Sequence, residues 1–158
     1  MHLKAMEVTN EIKTICSELL ERYKKAVEDS GHVASGGLVN NATYQVMFNG
    51  SWLEVSFNLE QHWKYLENGT RPHFPPINAI EQWISVKRIV PRSYNGKVPT
   101  TRQLAFLIAR GISKNGTKPT KLLQTTINNS DDLIAKLIDA LANQLQEEIQ
   151  KEINKEEI

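Results

Sequence analysis

The chain has 158 residues, of which 40% are hydrophobic and 23% charged. That is enough for one domain with its own core, short for two, and too apolar for wholesale disorder. The net charge of +1 names no partner. Its distribution is uneven, because from Lys64 to Lys118 there are ten basic residues against Glu67 and Glu81 alone, a local excess of +8 that leaves −7 for the remainder. The single cysteine, Cys16, excludes an internal disulfide and a cysteine-paired metal site, and suits a reducing compartment. The charged N-terminus lacks a signal-peptide apolar run, and no stretch approaches the ~18 apolar residues of a membrane helix. A soluble location with no membrane partner is the expectation.

In chain order, Val8, Ile12, Ile15, Cys16, Leu19, Tyr23, Ala26 and Val27 recur at three and four and predict a long amphipathic helix from about Leu3 to Val27. Asp29-Ser30-Gly31 ends it. Period two follows: Tyr44, Val46 and Phe48, then Leu53, Val55 and Phe57, with Asn49-Gly50 suited to a two-residue type I′ turn. An antiparallel hairpin results, which needs helices on its apolar face to be stable.

A short helix is predicted around Leu59 to Glu67, then a connector, Gly-Thr-Arg-Pro-His-Phe-Pro-Pro, whose prolines fix φ and withhold amide donors. A second helix runs from about Ile77 to Lys87. Arg88 to Pro99 is a long basic loop with an Asn95-Gly96 turn. Thr100 or Thr101 can cap a helix carrying Leu104, Phe106, Leu107, Ile108 and Ile112, which Asn115-Gly116 stops. Thr117 to Leu123 is a proline-containing link. The last helix starts at Ser130-Asp131-Asp132 and carries Leu133, Ile134, Leu137, Ile138, Leu141, Leu145, Ile149 and Ile153 on one stripe, with its final turns extending past the body. The predicted core includes Trp63, Tyr65, Leu66, Ile80, Trp83, Phe106 and Leu107.

Catalytic chemistry is sparse. The histidines His2, His32, His62 and His73 belong to no HExxH or HxH pattern, and phosphate-loop, dinucleotide-loop and nucleophile-elbow motifs are absent. A hydrolase or toxin using His62 and His73 competes with the plainer reading that they are surface or helix-packing histidines. Ser35-Gly36-Gly37 is too short for a phosphate loop. The basic segment 64–118, with Phe74, Tyr94 and the tryptophans nearby, supports a small nucleic-acid-binding module that contacts phosphates and stacks bases. Equally, its cations solvate loops or face an acidic neighbour.

The order of these elements carries a further signal. Ala34-Ser35-Gly36-Gly37-Leu38 and the hairpin precede Trp63-Lys-Tyr-Leu-Glu-Asn-Gly-Thr70, Phe74-Pro-Pro-Ile-Asn-Ala-Ile-Glu-Gln-Trp-Ile84, Leu104-Ala-Phe-Leu-Ile-Ala-Arg110 and Gly116-Thr-Lys-Pro119. From about Ala34 to the last helix the chain resembles the tail-completion, or neck, proteins of tailed bacteriophages, small tail components that join head to tail. The family's Gly-x-x-Pro-Phe-Leu-like segment is approximated by Gly116 to Leu123, without its aromatic residue.

The resemblance implies an α+β fold, with the long N- and C-terminal helices packed with shorter helices on a small antiparallel sheet containing the hairpin. It implies one domain over 1–158, its C-terminal helix from about 130 projecting. It further implies a virion protein of the neck or tail, assembled in the host cytoplasm as a homo-oligomeric ring around the DNA channel. Expected partners are portal or head-completion proteins and tail proteins, with non-specific contact to packaged DNA. No enzymatic activity, cofactor or metal is implied. Arg71, His73, Phe74, Lys87, Arg88, Arg92, Tyr94 and Lys97 are the residues expected to face other subunits or the DNA lumen.

Overall fold

The computed structural model describes residues 8–32, 36–48, 52–93 and 95–156. The fold is α+β: seven helices and one two-stranded antiparallel sheet occupy the described residues, with long helices at both ends of the chain.

Helix α1 (Asn10–Asp29) begins later than its apolar pattern suggests. Thr9 takes an extended conformation and its hydroxyl accepts from the Ile12 amide at 3.4 Å, so the cap, and not the periodicity, sets the start. Val8 lies outside the helix yet still packs on the core. Ile12, Ile15, Cys16, Leu20, Tyr23 and Val27 form the buried face. Burial pushes the Cys16 thiol above its ordinary pKa, which leaves it a core side chain and a poor nucleophile.

A single turn, α2 (Gly37–Asn40), leads to β1 (Thr43–Phe48) and β2 (Leu53–Asn58). The strands pair Tyr44 with Phe57, Val46 with Val55 and Phe48 with Leu53, which puts the apolar set on one face. An Asn49-Gly50 turn would have paired Phe48 with Ser51, so the observed register is displaced from the expected one by two residues. Such a displacement keeps every side chain on its own face, which is why the alternation alone does not distinguish the two. The turn itself lies outside the described residues.

The sheet packs on α1 and on α7 (Asp131–Glu156). Ile12, Ile15, Cys16, Leu133 and Ala140 form one buried cluster, against which Tyr44, Val46, Leu53 and Val55 lie. The Tyr44 hydroxyl donates to the Lys13 carbonyl at 2.8 Å and ties β1 to α1. The other half of α1 supports a second cluster, in which Leu20, Tyr23, Val27, Leu38 and Ala42 meet Trp63 and Leu66 of α3 (Trp63–Asn68) and Leu122 and Leu123 of α6 (Leu122–Asn128). The expected helix over 59–67 is therefore shorter, and the link expected after Pro119 contains a helix of its own.

Arg22 of α1 donates from both terminal nitrogens to Asp132 in the first turn of α7, at 2.7 and 2.6 Å. This hydrogen bonding, reinforced by the guanidinium charge, holds the Asp132 carboxyl at about 2, below its ordinary 3.8. Because the folded pKa is the lower one, the pair's contribution is complete above the unfolded value near 4 and is lost as pH falls toward 2. Asp132→Asn is expected to flatten the stability profile between about pH 4 and 2 while leaving its shape at neutral pH unchanged, as followed by denaturation across that range.

Helices α4 (Ile77–Val86) and α5 (Thr101–Asn115) stand apart from this body. They pack on each other through Ile80, Ile84, Ala105 and Ala109, bordered by Ile77, Ile89, Leu104, Ile108 and Ile112, a cluster with no residue from α1, α7 or the sheet. Buried alanines on α5 let the helices approach closely. Thr100 starts α5 with a reciprocal capping box to Gln103. Residues 71–116 thus form a helical arm with a core of its own.

Candidate docking arm and cleft

The arm leaves and rejoins the body at one point. Thr70 and Thr117 form a two-residue antiparallel bridge, their amides donating to each other's carbonyls at 3.1 and 3.2 Å. The Thr117 amide also reaches the Thr70 hydroxyl at 3.1 Å. The seam continues as Thr120 donates to the Leu66 carbonyl from its amide at 3.0 Å and its hydroxyl at 2.7 Å. Beside it, the Glu67 carboxylate accepts from the amides of Leu123 and Gln124 at 2.9 and 3.0 Å, capping α6.

Two glycines make the seam close enough. Gly69 (φ +69°, ψ −171°) and Gly116 (φ +67°, ψ −162°) occupy a backbone region open essentially to glycine alone. A Cβ would sit 2.2 Å from the Thr117 carbonyl oxygen at Gly69 and 1.9 Å from the Thr70 carbonyl oxygen at Gly116.

Next to the seam lies a cleft of about 830 Å³, lined by His32, Tyr65, Arg71, His73, Ile112 and Lys118 among others. Among the described residues no carboxylate lines it; Arg71 and Lys118 are its cations, set beside the Tyr65 ring and the apolar Leu66, Pro72 and Ile112. His73 holds the Arg71 carbonyl with Nδ1 at 2.9 Å. His62 lies instead against Glu60, Nδ1 to Oε2 3.2 Å. The two histidines thus have separate partners, and among the described residues no three His, Cys, Asp or Glu side chains gather as a metal site needs.

The residues expected to face partners are spread over the arm. Arg71 and His73 enter the cleft, while Phe74 is half-exposed with its ring tilted 57° against Phe106 at 6.0 Å. Lys87 caps α4 and its ammonium donates to the Gly31 carbonyl, tying the arm to the end of α1. Arg88 has a left-handed backbone and, like Arg92, is exposed. Lys97 lines a groove of about 850 Å³ with Val98, Pro99, Gln103 and Leu107. Tyr94 lies outside the described residues.

Four residues assigned to the core from sequence are not buried. Tyr65, Trp83, Phe106 and Leu107 are 64%, 41%, 51% and 55% exposed, whereas Ile80 is buried and Trp63 and Leu66 are half-buried. The cause is shared by the three arm residues. Each arm helix has only the other to pack on, so one apolar stripe is covered and the next stays open. A signal for this is present on α5, where Arg110 and Lys114 follow Leu107 at three and seven residues and mark that stripe as the outer one.

No helix is long and apolar enough to cross a membrane among the described residues. Comparison with protein-family models, curated proteins and solved structures returned no match.

Proposed function

We propose that the chain is a non-enzymatic structural protein of a tailed-bacteriophage virion. It sits at the head–tail junction as a homo-oligomeric ring around the DNA channel and joins portal or head-completion proteins to the tail. The observation that carries this reading is the seam. Two of the strings that carry the resemblance, Trp63 to Thr70 and Gly116 to Pro119, are separated by the whole arm, yet they meet as one hydrogen-bonded unit. Both glycines of those strings are required by the approach of the backbones, so the two strings serve one structural element.

A ring subunit needs a body with a fixed shape and a projection that reaches a neighbour. The α1–sheet–α7 body and the arm divide those tasks, and the arm's exposed apolar and basic side chains suit a surface that is covered after assembly. The decisive experiment is imaging of phage particles produced from a genome lacking this reading frame. Separate filled heads and unattached tails are expected; joined, infectious virions would rule the assignment out.

A further inference from the structure

The arm and the far end of α7 have opposite charge, and both leave an apolar stripe open. From Arg71 to Lys118 there are nine basic residues and one acidic residue, Glu81. Among the described residues only Arg102 of those nine is ion-paired, with Glu81 at 3.8 Å. On α5, Leu107, Arg110 and Lys114 share the outer stripe, with Phe106 beside them. Helix α7 carries seven acidic residues against three basic ones over 131–156. No described side chain beyond Gln144 is buried there. Ile138, Ile149 and Ile153 are 62%, 52% and 48% exposed at helical spacing, and Glu152 and Glu156 fall on that same stripe.

We propose that the outer face of α5 in one copy docks on the distal outer face of α7 in the next copy. This contact names the subunit surface of the ring and rests on that reading. Two observations favour a second copy over nucleic acid. Beside Phe74, Trp83 and Phe106, the arm exposes four aliphatic side chains, Val86, Val90, Val98 and Leu107, and a phosphate backbone offers nothing to cover these four. The complementary surface, acidic and aliphatic, is present on the same chain. Because the two patches differ, the contact is heterologous and a pair of copies keeps one free patch of each kind, which is the condition for a ring.

The test is charge exchange in the full chain, with association measured by analytical ultracentrifugation up to ~1 mM protein. The unaltered protein should self-associate, more weakly as salt rises. Arg110→Glu with Lys114→Glu, or Glu152→Lys with Glu156→Lys, should each weaken association at least about tenfold. All four changes in one chain should restore it. Arg110 and Lys114 are exposed and Glu152 is partly so, and an unchanged thermal transition of each variant verifies folding. Independently of charge, a Leu107→Cys copy and an Ile149→Cys copy of different length should form a mixed disulfide on oxidation. Association indifferent to the reversals, with no mixed disulfide, would remove this contact and leave the ring to another surface. A chain that stays monomeric and is retained on DNA at low salt would also remove it, assigning the arm to nucleic acid; the neck reading is then decided by the particle images alone.

Discussion

Gly116→Ala is expected to destabilise the protein by about 3 kcal/mol or more, while Gly111→Ala, five residues earlier, stabilises it by roughly 0.5–1 kcal/mol. The opposite signs follow from backbone and space. Gly111 lies within α5, and a methyl group added there would meet nothing within 4 Å, so alanine only lowers the entropy of the unfolded chain. Gly116 has φ +67° and its Cβ would lie 1.9 Å from the Thr70 carbonyl oxygen. That oxygen belongs to the bridge, and it cannot withdraw without breaking the Thr70–Thr117 hydrogen bonds. Urea denaturation of the two variants beside the parent measures both effects. A Gly116→Ala protein as stable as the parent would mean that the seam does not hold the arm in the way described.

Leu133→Ala should cost about 2–5 kcal/mol, because the removed atoms leave a cavity as well as their transfer energy. Leu133 is 1% exposed in the first turn of α7, where it meets Ile12, Ile15 and Cys16 of α1. Ile149→Ala, on the same helix but half-exposed, should stay within ~0.5 kcal/mol for the isolated chain. Chemical denaturation at a concentration below any association separates the two. Equal losses would place the distal part of α7 in the core and remove its availability to a partner.

These contrasts show what can and cannot be read from residue order. The stripe from Ile12 to Val27 identifies α1 because one helix face meets the body along its whole length. On α5 the same periodicity is present, yet it assigns Phe106 and Leu107 to the core, since spacing reports that a stripe is apolar and not whether a partner covers it. Helix α6 escapes sequence reading for a different reason. Thr125, Thr126 and Asn128 are weak helix formers, and the helix owes its start to the Glu67 carboxylate fifty-six residues away in sequence from Leu123. Within the candidate site, the connector's exposure follows from its prolines, but the cleft does not. It arises where Arg71 and Lys118 come together across the Thr70–Thr117 bridge, a pairing that no local pattern encodes.

The bridge has one more consequence. Because the chain departs at Thr70 and returns at Thr117, the body presents two adjacent attachment points, and a change in the length of the excursion between them leaves the bridge in place and touches the body at the Lys87–Gly31 contact. Turns could be added to or removed from α4 and α5 together, in matched pairs, with the α1–sheet–α7 packing undisturbed. The reach of the protein is therefore a property that evolution or design can adjust separately from its stability.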